Sequence, residues 1–274
     1  MPRKDKSKLI VKSNRLIEAS YRLNLVEQQI VLFAICLSRE EQRGLSPDTP
    51  VTISATAFAA QFGTNETKVY GQLKEAIDSL YKRSVIIHDT DPKTGKARVT
   101  ETRWISDKSY IDGAGQIQIT FANRIIPFIS RLESEFTSYR LEKIGRMTSA
   151  HAVRLYELLV QYVGLGTREL EIAWLKAILQ LTDEYPRPDN FKRRVIDVAV
   201  SQINVHTDIN ISYTQRKTGR MVTHLIFMIK SKLDPKAKPP KIDNAYVEKH
   251  ARPGESYDQA LRRLLEERGQ TCIF

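Results

Sequence analysis

One arrangement of predicted elements occurs twice along the chain: a short β-prone piece, a short helix, a tight turn, a longer amphipathic helix and a hairpin with a basic turn. A short helix followed by a turn and a longer helix is the signature of a helix-turn-helix, and a hairpin behind it forms a wing. A chain of 274 residues has room for two such domains. The sequence therefore predicts an α+β protein with two tandem winged-helix domains.

The first copy begins with the β-prone piece Val51-Thr52-Ile53. Ser54 is typical of a helix N-cap and Gly63 of the left-handed residue that ends a helix, so a short helix is predicted between them. A longer helix then runs from Thr64 to about Arg83. Its apolar face is predicted to consist of Val69, Leu73, Ala76, Ile77 and Leu80. The hairpin behind it has predicted strands 85–87 and 98–105 around the turn 91–96.

The second copy starts at Ser149, which is predicted to cap an amphipathic helix from Ala150 to Tyr162. A longer helix, capped by Asp189, is predicted to run to about Ile203. The other predicted elements are a β piece at 170–172, a short helix at 174–181, and strands 208–213 and 221–229 around the turn 215–220.

The spacing of the two copies predicts an internal duplication. Val69 and Leu73 correspond to Phe191 and Val195, both 122 positions later. The hairpin turns Lys93-Thr94-Gly95-Lys96 and Lys217-Thr218-Gly219-Arg220 are 124 positions apart. Either turn alone is an ordinary hairpin turn, but four matching residues in the same order of elements favour duplicated domains.

Near the N-terminus an apolar residue recurs every seven positions, at Leu9, Leu16, Leu23, Ile30 and Leu37. The spacing resembles a leucine zipper, which requires one unbroken helix over several heptads. Leu23-Asn24-Leu25 followed by Val26-Glu27-Gln28-Gln29 instead indicates the end of one helix and the start of another. Two core-packing helices are therefore favoured over a zipper. The predicted segments are a basic N-terminal arm (1–12), domain 1 (13–143), domain 2 (144–232) and a Lys/Pro-rich linker with a C-terminal extension (233–274).

Composition restricts the partners and the compartment. The formal net charge of +11 favours a polyanion such as DNA, although a merely solvated basic surface is the alternative. Cys36 and Cys272 have no partner cluster for a disulfide framework, which suits a reducing compartment. No run of about 18 apolar residues is present, so we expect a cytoplasmic protein that does not enter a membrane.

The second long helix has the most basic predicted outward face. At 100° per residue, the residues Phe191, Val195, Val198, Ala199 and Ile203 are predicted to face the core. The predicted DNA-contacting residues are Arg193, Asp197 and Ser201 on the outward face, Lys192 and Arg194 on its flanks, and Arg187 in the preceding turn. An exposed guanidinium can bind a guanine edge with two hydrogen bonds, so this helix is predicted to read bases. The alternative is that Lys192-Arg193-Arg194 is a solvated charge run.

The first long helix has a mixed outward face, with Lys68, Lys74 and Lys82 beside Glu75 and Asp78. We therefore expect mainly contacts to the DNA backbone there. The cations predicted to reach phosphates or a narrow minor groove from the hairpins are Lys93, Lys96 and Arg98 in the first and Arg216, Lys217 and Arg220 in the second.

Signs of an enzyme are weak. No Gly-rich phosphate loop is present, and the histidines include no close pair that could bind a metal or form a nickase site. Asp89 and Asp91 could bind Mg²⁺, but acids beside a hairpin turn are more often turn formers. No catalytic residue, metal or cofactor is predicted, and a nicking or priming enzyme is the least favoured class.

The chain resembles the iteron-binding replication initiators of theta-replicating plasmids over roughly residues 10–232. The stretches that resemble the family's opening helices are 13–19 and 25–30, and 73–84 resembles its first recognition helix. Leu155-Tyr156-Glu157-Leu158-Leu159 is similar to the opening of its second domain, and Phe191-Lys192-Arg193-Arg194-Val195-Ile196 to the start of its principal recognition helix. The extension beyond about Lys232 departs from the family pattern.

The resemblance implies a bacterial protein that binds direct repeats at an origin as a monomer and helps to open the adjacent duplex. It further implies recruitment of the host initiator and the replicative helicase. A homodimer, joined through domain 1 and in equilibrium with the monomer under the influence of host chaperones, would repress the initiator's own promoter. A transcriptional repressor without a role in replication is the alternative.

Overall fold

The computed structural model describes residues 8–41, 44–91, 93–111, 113–130, 136–232 and 259–260. By its internal contacts the chain divides after Lys232. Residues 1–7 of the predicted arm, and all of the predicted linker and extension except 259–260, lie outside the described residues. None of the described helices is long and apolar enough to cross a membrane.

The elements of the first half of the chain are β1 (Leu9–Ser13), α1 (Asn14–Ile17), α2 (Leu25–Glu41), β2 (Val51–Ser54), α3 (Ala55–Phe62), α4 (Glu66–Leu80), β3 (Ser84–Thr90), β4 (Ala97–Arg103), β5 (Ile105–Ile111), β6 (Gln116–Phe121), α5 (Ile126–Ser130) and β7 (Phe136–Arg140). Those of the second half are a 3₁₀ turn (Leu141–Lys143), α6 (Ala150–Val160), β8 (Thr167–Glu171), α7 (Ile172–Ile178), α8 (Pro188–Phe191), a π-helical turn (Lys192–Ile196), α9 (Asp197–His206), β9 (Ile209–Thr218) and β10 (Met221–Ser231).

Local capping chemistry sets several helix ends, as predicted. The Ser54 hydroxyl accepts a hydrogen bond from the Ala57 amide at the start of α3, and Gly63 ends that helix with a φ of 66°. The Ser149 hydroxyl accepts one from the Ala152 amide at the start of α6. Such caps satisfy amide and carbonyl groups that a helix end leaves without partners.

The start of α2 excludes the zipper. The Asn24 side chain accepts a hydrogen bond from the Glu27 amide at 2.9 Å, and the Glu27 carboxylate accepts one from the Asn24 amide at 2.6 Å. This reciprocal pair is a capping box, and it fixes a new helix start at Leu25. Leu9 lies in strand β1 and Leu16 in the short helix α1, so the five heptad positions belong to different elements.

Two three-stranded sheets define the two winged helices. In the first winged helix (residues 25–121), the strand before the short helix pairs with the second strand of a hairpin, in the order β2-β6-β5. The second winged helix (residues 150–231) has the corresponding order β8-β10-β9. Winged-helix architecture in both halves is therefore confirmed.

The proposed equivalence of the two Lys-Thr-Gly turns is wrong. The turn at 93–96 belongs to hairpin β3–β4, which forms a separate two-stranded sheet, whereas the turn at 217–220 belongs to β9–β10, inside the three-stranded sheet. By sheet position the wing of the first winged helix is hairpin β5–β6. The predicted strand 98–105 ends at Arg103, because the buried residue Trp104 separates β4 from β5. The match between the turns thus reflects ordinary hairpin chemistry.

Strand β1 corrects the predicted arm. Residues 9–12 were expected to belong to a basic tail, but they pair antiparallel with β7, and Ile10 and Val11 are buried. Strand pairing and the burial of consecutive residues outweigh the basic character of the surrounding sequence. Lys12, which also falls within the predicted arm, is 1% exposed.

Candidate nucleic-acid interface

The long helix of the second winged helix (residues 188–206) consists of α8, the π-helical turn and α9. Its N-cap position is Arg187, in extended conformation, and Pro188 stands in the first turn, where its fixed φ and missing amide hydrogen are tolerated. Asp189 was expected to be the cap, but it lies inside the first turn. An acidic side chain there still interacts favourably with the positive end of the helix dipole.

The π-helical turn changes which side chains face the core. The Asp197 amide donates its hydrogen bond to the Lys192 carbonyl, five residues earlier, instead of the usual four. Phe191, Val195, Ala199 and Ile203 are buried as predicted. Val198, predicted to be buried, is 40% exposed, and Ile196 is buried in its place. The prediction failed because it assumed 100° per residue through a turn that holds one additional residue.

The outward face of this helix is basic at its N-terminal half. The exposed residues include Arg193, Arg194, Asp197 and Ser201, while Lys192 is half-buried. Arg193 donates a long hydrogen bond to the Asn190 side chain at 3.4 Å. Within the described part of the chain, neither Lys192 nor Arg194 forms an ion pair. Their charges are consequently available to an external anion.

Asp197 is oriented by a tyrosine of the wing. The Tyr213 hydroxyl of β9 donates a hydrogen bond to the Asp197 carboxylate. Burial and this hydrogen bond raise the pKa of Tyr213 above its ordinary value. The contact connects the long helix to the wing and leaves the second carboxylate oxygen of Asp197 able to accept from a base amino group, such as that of cytosine.

An open polar cleft of about 460 Å³ lies at the N-terminal end of the long helix. Its lining residues are Arg187, Asp189, Asn190, Lys192, Arg193 and Asp197. Four of these six, including Arg187 in the turn before the helix, are among the predicted DNA-contacting residues. Asn190, which the sequence analysis missed, is an amide that can both donate and accept, and its place between two predicted contacts was the available signal.

The wing of the second winged helix is longer than predicted. Strands β9 and β10 extend to Thr218 and from Met221, so the predicted turn 215–220 reduces to Gly219 and Arg220, with Gly219 at a φ of 63°. The Arg216 guanidinium hydrogen-bonds the Glu169 carboxylate of β8. Among the described residues Lys217 and Arg220 form no ion pair, and both are exposed. The tip therefore presents two uncompensated cations.

The outward face of α4 is largely neutralised. The Asp78 carboxylate accepts hydrogen bonds from Lys108 and Tyr110 of β5, and these bonds lower the pKa of Asp78. The Lys74 ammonium lies 4.7 Å from the centre of the Tyr110 ring and 5.6 Å from that of Tyr70. The predicted contacts Lys68 and Lys82 are exposed.

Hairpin β3–β4 carries a similarly compensated arginine. Arg98 forms two hydrogen bonds with Asp89, at 2.8 and 2.6 Å, and a longer one with Asp91. Asp91 accepts from the Thr94 amide and hydroxyl and from the Lys93 amide, and these bonds lower its pKa. Asp91 thus acts as a turn former, as predicted, whereas Asp89 lies in β3 and pairs with Arg98. No group of three potential metal ligands occurs within the described residues. Lys96, like Lys93, is exposed.

A buried charged cluster joins strands β1 and β7 to helix α6 of the second winged helix, and local sequence patterns did not predict it. Lys12 of β1 donates to Glu157 of α6 at 2.8 Å, and Tyr139 of β7 also hydrogen-bonds Glu157. Arg154 donates to the Ile17 carbonyl at 2.8 Å. Burial alone would raise the pKa of Glu157, but the charges of Lys12 and Arg154 outweigh it and lower the pKa. The cluster is connected over long sequence separations, which local patterns do not reveal.

Comparison with known proteins places these features in a family. The family model described as "Initiator Replication protein, WH1" matches residues 9–160, and that described as "Initiator Rep protein, WH2" matches residues 171–229. A curated relative, an uncharacterized 27.6 kDa protein of Escherichia coli, is 23% identical over 228 residues, which cover 79% of this chain and 93% of the relative.

Two solved structures are also similar. The crystal structure of Pi initiator protein in complex with iteron DNA has a TM-score of 0.70 and 22% identity, covering 84% of this chain and 100% of that chain. The WH1 domain of a replication protein isolated from a multiple sclerosis patient is 35% identical, with a TM-score of 0.38, and covers 47% of this chain and 97% of that domain. The first likeness shows a shared two-domain fold.

Proposed function

The chain belongs to the initiator replication protein family, with a WH1 and a WH2 domain, and from this membership we propose that it initiates plasmid replication by binding iterons, the direct repeats of an origin. The family is one of DNA-binding winged-helix initiators and not of enzymes. The observation that carries the proposal is the exposed arginine pair Arg193 and Arg194, which has no acidic partner among the described residues. The similar fold of Pi initiator protein, whose crystal structure is a complex with iteron DNA, supports DNA as the ligand.

The two winged helices divide the binding work in this proposal. The long helix at 188–206 enters the major groove and reads bases, because its N-terminal half presents guanidinium groups and the wing beside it presents cations to phosphate. The first winged helix contributes backbone contacts from exposed lysines such as Lys68, Lys82, Lys93 and Lys96. A neutralised helix face suits positioning better than base reading.

The resemblance extends the proposal to regulation. The monomer binds the repeats and promotes opening of the origin, and the host initiator and replicative helicase join it there. A dimer formed through domain 1 represses the protein's own promoter, and host chaperones shift the balance between the two forms. We place these steps in the bacterial cytoplasm.

A replication assay tests the proposal. The gene and its flanking DNA are cloned in a circle without another origin, and transformants are counted in a bacterial host. The expected result is stable replication by the wild type, loss of it with R193A/R194A, and normal replication with Arg140→Ala, a control that removes an exposed arginine on β7.

Two outcomes would contradict the proposal. A protein that binds its promoter but never replicates the circle would be a repressor without a role in replication. A site-specific nick made by the purified protein in supercoiled origin DNA with Mg²⁺ would identify a nicking enzyme.

A further inference from the structure

Val198 is an apolar side chain in the middle of the polar face of the long helix. It is 40% exposed. Arg194 stands one turn before it and Ser201 one turn after it, and both are exposed. Residues four and three positions apart are neighbours on a helix surface, so Val198 shares one outward row with them. Any surface that contacts Arg194 and Ser201 together also covers Val198.

The π-helical turn is the cause of this exposure. Val198 follows Phe191 by seven residues, which in a regular helix would place both side chains on the buried face. The additional residue in the turn Lys192–Ile196 rotates α9 relative to α8, so that Ile196 is buried and Val198 is not. Single π turns are rare in proteins, and those that occur are frequently found at functional sites. Here the turn moves a valine from the core to the candidate interface.

The major groove offers one apolar group that such a side chain can recognise. Guanine, cytosine and adenine present hydrogen-bonding groups there, whereas thymine also presents its 5-methyl group. Valine is branched at Cβ and strongly prefers one rotamer in a helix, so the position of its methyl groups is fixed by the backbone. A fixed apolar group between polar ones is suited to select a methyl group at one place in the site.

We propose that Val198 contacts the 5-methyl group of a thymine and makes the protein specific for thymine at that position. The inference rests on the proposed function, because it requires the long helix to lie in the major groove. Val198 is four residues beyond Arg194, or about 6 Å along the helix axis. That distance corresponds to about two base pairs of B-DNA. The thymine is therefore expected within about two base pairs of the guanine that Arg194 contacts.

Deoxyuridine tests the contact, since it lacks only the 5-methyl group of thymidine. A duplex is first selected by the wild-type protein from a randomised library, and each thymine in it is then replaced by deoxyuridine, one at a time. At one position the replacement should weaken binding of the wild type about fourfold, the effect of losing one buried methyl group. The same replacement should leave the affinity of Val198→Ala unchanged.

Val205→Ala is the matched control. Val205 is an exposed valine in the last turn of the same helix, and it is 69% exposed. This variant should keep the full deoxyuridine effect at the thymine in question. Far-UV circular dichroism of both variants should match that of the wild type, because neither removes a buried side chain.

The outcomes separate the two proposals. One outcome is that V198A keeps the wild-type deoxyuridine sensitivity at every thymine of the selected duplex. That result would overturn the Val198 contact and leave the proposal of DNA recognition intact. Failure of the wild type to enrich any sequence would overturn the proposed function itself, and the Val198 contact with it. Loss of the sensitivity at one thymine in V198A alone would support both.

Discussion

The long helices of the two winged helices differ less in how many cations they carry than in what those cations contact. On α4, Lys74 lies over the rings of Tyr70 and Tyr110, and Asp78 is bonded to Lys108. On the helix at 188–206, Arg194 forms no ion pair with any described residue. A cation that already has an internal partner gains less from a phosphate, because the internal contact must be given up.

The hairpins repeat this difference. Arg98 on hairpin β3–β4 is held by Asp89 and Asp91, whereas Lys217 and Arg220 on the wing β9–β10 have no acidic partner among the residues that the structure describes. Charge counted along the sequence would make the two tips nearly equal. The comparison teaches that the availability of a cation, set by its neighbours in space, is the better guide to DNA binding.

The largest effect should come from breaking the buried charged cluster around Glu157. Glu157→Ala would leave Lys12 and Arg154 buried without their counter-charge, and removal of one partner of a buried pair costs about 3–5 kcal/mol. The free energy of unfolding, measured in urea, should fall by that amount. Glu169→Ala, which breaks the exposed pair with Arg216, should cost about 1 kcal/mol or less. Equal losses in both variants would contradict the role of burial.

Acid should weaken the same buried charged cluster. The pKa of Glu157 is lowered in the folded protein, so its ionised form stabilises the fold at neutral pH. That contribution is complete above the ordinary pKa of 4.5 and is lost as the pH falls through the lower pKa of the folded state. Urea titrations at neutral pH and below pH 4.5 should show a smaller loss of stability in Glu157→Gln than in the wild type.

The next largest effect should distinguish the two long helices directly. Arg193→Ala or Arg194→Ala should weaken binding to a selected specific duplex by about 1–3 kcal/mol for each lost base contact. Lys68→Ala on α4 should have a smaller effect on the specific duplex. It should weaken binding to random DNA by the same amount, because a backbone contact does not depend on base sequence. Titration of each variant with the specific duplex and with random DNA, at one fixed salt concentration, measures these effects. Unchanged footprints in the two arginine variants would remove the assignment of base reading to this helix.

A smaller effect should separate the hairpins. Lys217→Ala should weaken specific and random DNA alike and reduce the salt slope by about 0.9, the value for one phosphate contact. Arg98→Ala should change the slope less, because Asp89 and Asp91 already compensate its charge. Affinities at several salt concentrations give the slopes. A larger change with Arg98→Ala would reverse the ranking of the two tips.

The smallest effect should come from a substitution that makes the surface around α4 more like that of the helix at 188–206. Asp78→Asn should release Lys108 from its ion pair and add one available cation to the outward side of α4. Random DNA should then bind slightly more tightly at low salt, and the gain should disappear as screening increases. A neutral control is Ser109→Ala on the same strand, which should leave the affinity for random DNA unchanged.

Sequence predicted the features that depend on neighbouring residues. The caps at Ser54 and Ser149 and the helix end at Gly63 follow from hydrogen bonds and backbone conformations within a few positions. The outward direction of Arg193 and Ser201 also followed from helical periodicity, and both are exposed. Which of the predicted contacts meet DNA stays a prediction.

The features that sequence missed depend on distant partners or on irregular backbone. Lys12 was assigned to a basic arm because its partner Glu157 is 145 positions away. Val198 was assigned to the core because a π-helical turn cannot be read from apolar spacing. The turns at 93–96 and 217–220 were equated because similar letters form similar hairpins, although sheet pairing places them differently.

The burial of Lys12 also has a consequence for the order in which the chain folds during synthesis. Strand β1 pairs with β7, and the Lys12 ammonium reaches its counter-charge on α6. The N-terminal strand has no neighbour until β7 (Phe136–Arg140) has left the ribosome, and the Lys12 charge has no partner until about residue 157 has followed. At about 5–20 residues per second, synthesis of the 145 residues between Lys12 and Glu157 takes about 7–29 seconds. Strand β1 therefore completes its packing only when helix α6 of the second winged helix has emerged.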